Sequence, residues 1–272
     1  MTFGSLFVVL VALALAAPLW ANAVAGRGYE DTNETGKVEV GGEQVDVVSV
    51  EGIPIGPTWR AEEVLAALLT TLVATLVGLV AGWYRGWVDA VARSALDVVW
   101  AFPVILLGVA LGTALAAGGL QIGPLEIDAG SKAIPILIIA LVFVPYMARP
   151  IRGQVLALRE REFVEAARAQ GAGSWRIMLS ELLPNLSSSV IVFAPLMVAN
   201  AVMLEAALSF LGVGVIPPEP SWGNMIDAGV DRLVTAPHLT IVPGAMLVLT
   251  VLALNVFGDG VRDAFDPRAK RA

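Results

Sequence analysis

The residues that could carry chemistry are few, and their types set limits first. The chain has no cysteine and one histidine, His238. Thiolate chemistry, disulfides and Cys-ligated metal sites are excluded, and one imidazole builds neither a metal cluster nor a Ser/His/Asp triad. His238 reads as a polar residue at a membrane boundary. No cofactor is implied. No phosphate-binding glycine loop of the Walker type occurs, so the chain is not itself an ATPase. The net charge of −7 speaks against nucleic acid as a partner. What remains is chemistry of docking and of charge in a membrane. The polar stretch Arg149–Asn185 holds six of the seventeen Lys and Arg residues. Inside it lie Glu165-Ala166-Ala167, then Gly171, then Leu183-Pro184.

Within that stretch, Arg159, Arg161 and Arg168 alternate with Glu160, Glu162 and Glu165, which supports a solvated helix over Leu156–Gln170. Gly171 and Gly173 break it, Gly171 supplying a turn of positive φ. Ser174–Leu183 resumes the helical pattern, and Pro184 opens the next membrane segment. Small Ala166 and Ala167 beside Gly171 let another protein approach closely, and a plain solvated connector is the alternative. Glu165 would orient the segment by capping or ion pairing, or be an ordinary helix-surface carboxylate. Glu205, at the outer end of an apolar run, is the ionisable residue proposed for a path or gate role. Its alternatives are snorkelling and packing against Ser209–Gly214. Trp222 reads as an interface anchor.

These residues need an apolar frame. Apolar residues make up 57% of the chain and charged ones 15%. A span takes about 20 apolar residues to cross roughly 30 Å of hydrocarbon. The reading is an all-α polytopic membrane protein with about six transmembrane helices. Residues 1–25 form the first, either retained or a cleaved signal peptide, and the lack of a basic n-region favours retention. Residues 26–63 form an acidic extracytoplasmic loop or small cap, with nine acidic against three basic residues. Alternation over Lys37–Val50 predicts a short hairpin around Gly41-Gly42. Residues 64–272 are the core. Its spans are Val64–Tyr84, Val98–Gly118, Ala133–Ala148, Leu186–Leu204 and one from about Ile241 to Gly258. A short polar loop over Arg85–Asp97, a Gly-rich turn over Gly119–Lys132 and a polar segment over Glu205–Asp231 separate them. An N-in, C-in arrangement puts twelve of the seventeen basic residues inside, as the positive-inside rule requires.

The spacing of Glu165-Ala166-Ala167, Gly171 and Leu183-Pro184 resembles the EAA signature of permease subunits of ABC importers. Leu204-Glu205-Ala206-Ala207-Leu208-Ser209-Phe210-Leu211-Gly212, Pro217-Pro218 and Pro220–Met225 resemble the dipeptide/oligopeptide (DppC/OppC-type) branch. So do Gly82-Trp83-Tyr84, Ala101-Phe102-Pro103 and the tail from Asn255 to Arg268. The likeness covers Val64 to Arg268. Gly56–Glu63 departs from the peptide-type pattern, and the acidic insert before it is individual. The resemblance implies a permease subunit in the cell membrane, working in peptide import. Glu165, Ala166, Ala167, Gly171, Leu183 and Pro184 would couple it to the ATPases through the loop 149–185. Its partners would be a second homologous permease, two cytoplasmic ABC ATPase subunits and an extracytoplasmic substrate-binding protein, all within membrane lipid. The rival from another class is a secondary transporter or channel. Charge-free span centres count against it. A membrane enzyme is opposed by the lack of clustered His, Cys or carboxylate in the spans.

Overall fold

The structure is a computed structural model and describes residues 37–40, 43–46, 61–122, 125–215 and 221–265. The expected first span, and Gly41-Gly42 at the predicted hairpin tip, lie outside the described residues. On either side of that tip, β1 (Lys37–Val40) pairs antiparallel with β2 (Glu43–Asp46), Val38 opposite Val45. The helices follow. They are α1 (Ala61–Tyr84), α2 (Gly86–Trp100), α3 (Val104–Gly118), α4 (Ala133–Leu158), α5 (Glu162–Ala169), α6 (Ser174–Ile177), α7 (Leu183–Phe210), α8 (Trp222–Val230) and α9 (His238–Phe265). A second hairpin, β3 (Leu120–Ile122) with β4 (Leu125–Ile127), joins α3 to α4.

Among the described residues, four helical runs are long and apolar enough to cross a membrane, and five if the bent pair α2–α3 counts as one. The chain is a multi-pass membrane protein. Its core is the contact of α1, α4 and α7, where Leu79, Ile138, Met147, Ile151, Leu186 and Leu208 are fully buried. α1 shows why. Leu65, Leu68, Leu72 and Leu76 recur every three or four residues and stay exposed, as a lipid-facing stripe should. The opposite side carries small residues. A Cβ on Gly78 would lie 2.8 Å from the Ala148 carbonyl oxygen, and one on Gly82 would lie 2.7 Å from Val155 Cβ. This small-xxx-small pair lets α1 and α4 touch backbone to backbone. Thr70 Oγ1 donates to its own-helix Ala66 oxygen at 2.8 Å and lies 3.5 Å from the Ala140 oxygen of α4.

Several expected boundaries move. The polar stretch Arg85–Asp97 is a helix, not a loop, because its charges all fall on one side of α2. The predicted span Val98–Gly118 is interrupted: α2 stops at Trp100, and α3 starts after Pro103 at 88° to it. Proline fixes its own φ and disfavours helical backbone in the residue before it, which accounts for the end of α2 ahead of Ala101-Phe102-Pro103. The Gly-rich turn contains the β3–β4 hairpin. α4 does not end at Ala148 but runs through Pro145 and Pro150 to Leu158. Tight neighbours offset the missing hydrogen bonds of those prolines. At 26 residues it is about 39 Å long at 1.5 Å per residue, longer than the hydrocarbon it crosses. The proposed loop 149–185 is therefore mostly helix. Its irregular parts are Arg159–Arg161 and Gln170–Gly173. α7 continues past Leu204 to Phe210, and α9 begins at His238 rather than Ile241.

Candidate functional site

One end of the bundle is rich in arginine. There α4 ends and Arg159 turns back to α1, its Nη1 donating to the Trp83 oxygen at 2.6 Å and the Gly82 oxygen at 3.4 Å. These carbonyls belong to the last turn of α1, where a helix lacks internal donors and carries partial negative charge. The Trp83 ring faces two guanidinium groups, Arg159 at 5.7 Å and Arg168 at 4.9 Å from its centroid. Burial lowers the pKa of Arg159 from the usual guanidinium value, the Arg85 charge adds to this, and Glu160 opposes it. The group stays charged at neutral pH.

α5 hangs from this anchor. Val164 is fully buried and Phe163 and Ala167 pack against the core, while Glu162, Glu165, Ala166 and Gln170 are exposed. The Glu165 carboxylate forms no hydrogen bond or ion pair among the described residues. The proposed cap or ion pair is therefore not made within them. The helix ends at Gly171, where φ is 78°. Gly171 N–H donates to Arg168 O at 2.9 Å and Ala172 N–H to Ala167 O at 3.0 Å. This is the Schellman pairing, which satisfies two end carbonyls and requires a left-handed residue. The glycine turn read from sequence is thus present.

α6 then leads into α7 without a break in the helical run, but through a π turn at Met178–Leu182. The Leu183 N–H donates to the Met178 oxygen, five residues back. Pro184 explains the turn. It has no N–H for the Ser180 carbonyl and its ring clashes with that carbonyl in a regular helix, so the helix widens there. Asn185 Nδ2 donates to the Glu181 oxygen at 2.6 Å. Met178 and Leu182 are buried, Leu183 half-buried and Pro184 exposed.

Beside α5 lies a set of ion pairs that sequence reasoning missed. Arg85, Asp89, Arg93 and Asp97 alternate in sign every fourth residue along α2. Asp89 is buried, and both its oxygens are held by Arg152 of α4, at 2.5 Å from Nε and 2.7 Å from Nη2. Arg93 approaches Asp89 at 3.3 Å, Arg149 meets Asp97 at 2.7 Å, and Arg85 meets Glu160 at 3.0 Å. Arg149 also lies 4.5 Å from the Trp100 ring centroid, and that ring stacks with Tyr146 at 6.2 Å. The available signal was the i, i+4 charge alternation inside what looked like a loop.

The other end of the bundle holds Glu205. It is 3% exposed, so it does not snorkel. Ser209 Oγ donates to Glu205 Oε1 at 2.6 Å, and Val215 N–H donates to Ser209 Oγ at 2.9 Å. Glu205 thus packs with the Ser209–Gly214 loop, as one reading anticipated. It also lines a cavity of roughly 300 Å³ with Glu62, Glu63, Lys132 and Val213. Lys132 pairs with Glu62 at 3.4 Å. Trp222 is buried at 3% exposure, which corrects its assignment as an interface anchor. It starts α8, whose N-cap Ser221 accepts the Gly223 N–H at 3.1 Å. The structure brings Glu165, Ala166, Ala167 and Gly171 together, with Leu183 and Pro184 at the start of α7. It puts Glu205 at the opposite end of that helix.

Residues 74–271 match the family described as the binding-protein-dependent transport system inner membrane component. The chain belongs to that family. A Brucella ovis protein named as a peptide permease is 42% identical over 184 residues, 67% of this chain and 57% of that protein. The glutathione transport system permease protein GsiD of Pectobacterium atrosepticum is 37% identical over 182 residues, 67% of this chain and 56% of the relative. The chain thus matches a little over half the length of these curated relatives. Among solved structures, an inward-facing form of the MetNI methionine ABC transporter aligns with a TM-score of 0.59 at 17% identity, covering 76% of this chain and 92% of that one. A second crystal form gives 0.53 at 18% identity. At such identities the likeness concerns the fold, and it agrees with a family of membrane permeases.

Proposed function

We propose that the chain is a permease subunit of an ATP-driven, binding-protein-dependent importer whose cargo is peptides. The observation that carries this is α5, a short amphipathic helix fixed to the ends of α1 and α4 on one side and exposed on the other, in a chain of this family. In this reading the arginine-rich end faces the cytoplasm, the spans number six with both termini inside, and residues 1–25 supply the first. Of two cytoplasmic ATPases that power the pair of permeases, one docks on Glu165, Ala166 and the Gly171 turn. A second homologous permease completes the path, and an extracytoplasmic binding protein delivers cargo to the end that holds Glu205. The names of the peptide and glutathione permease relatives support the cargo class.

The mechanics follow from rigid parts. A push on α5 is carried to α1 through Trp83 and Arg159, and to α7 through α6 and the π turn. Closure of the ATPases would thereby move α1 and α7 together. ATP hydrolysis belongs to the partners. The test is purification of the tagged chain in mild detergent with mass spectrometry of the proteins that accompany it. Two ATP-binding subunits and a second permease are expected, with the ATPases lost from Glu165→Arg and Gly171→Val variants. Recovery of the chain alone, or only with copies of itself, would overturn the reading in favour of a secondary transporter or channel.

A further inference from the structure

α2 is covered on one side only. Asp89 and Leu96 are buried against the bundle, whereas Trp87, Val91 and Val98 are 78%, 61% and 63% exposed. At 100° per residue these three positions fall within about 40° of one another. The charged series from Arg85 to Asp97 occupies the other side. α2 is thus amphipathic twice over, with a buried and ion-paired side toward α4 and an apolar stripe facing outward. The helix is set at 88° to α3 by the break at Ala101–Pro103. α3 has 15 residues and reaches about 22 Å, too short for roughly 30 Å of hydrocarbon without the bend region.

We propose that α2 is an interfacial helix whose Trp87–Val91–Val98 stripe docks on the lipid surface at the arginine-rich face of the membrane. Two observations favour lipid as the occupant. The stripe continues past the bend into Phe102, Ile105 and Leu106, exposed on the wall of the bundle, so it prolongs the lipid-facing band of the spans. Tryptophans stand near both ends of α2, and the boundary between headgroups and acyl chains is where an indole is most stable. Held to α4 by Asp89–Arg152 and Asp97–Arg149, and to the lipid by its far side, α2 fixes the depth at which the bend to α3 sits. This inference needs only that the chain crosses a membrane and stands apart from the importer reading.

The lack of cysteine makes the test direct. The variants Trp87→Cys, Val91→Cys and Val98→Cys each carry one nitroxide label on the full chain, together with any subunits that co-purify. The samples are reconstituted into nanodiscs of phosphatidylcholine and phosphatidylglycerol. Power saturation is read against oxygen, which partitions into lipid, and a nickel chelate, which stays in water. A positive depth parameter at all three sites is expected. Preference for the nickel chelate at 87, 91 and 98 would overturn the proposal. Shielding from both reagents with immobilised spectra would overturn it too, by showing a protein on the stripe. As a check without cysteine, brominated lipid should quench Trp87, so the unsubstituted protein should lose more emission than Trp87→Phe. Equal losses would count against the proposal.

Discussion

At the arginine-rich end, Asp89 of α2 is gripped by two nitrogens of Arg152 on α4, sixty-three residues away in sequence. At the opposite end, Glu205 is held by Ser209 one turn later on its own helix, and Ser209 in turn holds the Val215 amide. The first arrangement staples separate helices together. The second ties a loop to the helix it leaves. A movement of whole helices therefore strains the ion pairs at one end. A movement of the Gly212–Val215 loop strains a hydroxyl relay at the other.

Breaking the staple should have the largest effect. Arg152→Ala leaves a buried carboxylate without its main cation and should cost about 3 kcal/mol, read as a lowered unfolding midpoint in detergent. Asp89→Ala with Arg152→Ala should cost less than the single Arg152→Ala change, because no charge is then stranded. Equal losses would mean that Asp89 finds another cation. Gly82→Val comes next. Its side chain would press on Val155, and the overpacking should cost about 2 kcal/mol by the same assay. Gly171→Val meets no neighbour, so its effect is conformational: about 1.5 kcal/mol for a β-branched residue held at positive φ. Gly171→Asn should recover much of this, and retention of the ATPases should follow the same order.

At the other end the effects should be smaller and local. Ser209→Ala removes one hydroxyl and should cost about 1 kcal/mol. The sharper readout is faster proteolysis or labelling in the Gly212–Val215 loop with little change in the unfolding midpoint. Arg85→Ala completes the series. Its pair with Glu160 is half exposed, and the loss should be about 0.5 kcal/mol and vanish in high salt.

Much of the membrane frame was legible because long apolar runs have one physical explanation. α1, α7 and α9 contain the apolar runs that hydropathy put there, and α7 and α9 continue six and seven residues past the expected C-terminal ends. The Gly171 turn was legible because a glycine after a charged helical stretch has a specific use. What was not legible depended on partners far away in sequence. Arg152 looked like any cytoplasmic arginine until α2 proved to be a helix with Asp89 beside it. The span expected over Ala133–Ala148 was cut short where the polar stretch begins at Arg149, and α4 instead carries on through Pro145 and Pro150 to Leu158, packed on α1. Glu205 was found as an ionisable residue at a membrane boundary. Its hold on the Ser209–Val215 loop was one of two alternatives until the loop was seen. Trp222 was misread because indoles favour interfaces, and here the ring is buried at the start of α8.

The π turn ahead of Pro184 has a mechanical consequence. A proline has no N–H, so Pro184 cannot supply the bond that a regular α-helix would make to the Ser180 carbonyl, and the π turn at Met178–Leu182 is favoured there. The extra residue in that turn rotates everything after it by a fixed angle relative to everything before. α6 and α7 are thus keyed like two lengths of shaft joined out of phase. A twist applied at Ser174 therefore passes toward Glu205 through a joint that is offset in phase.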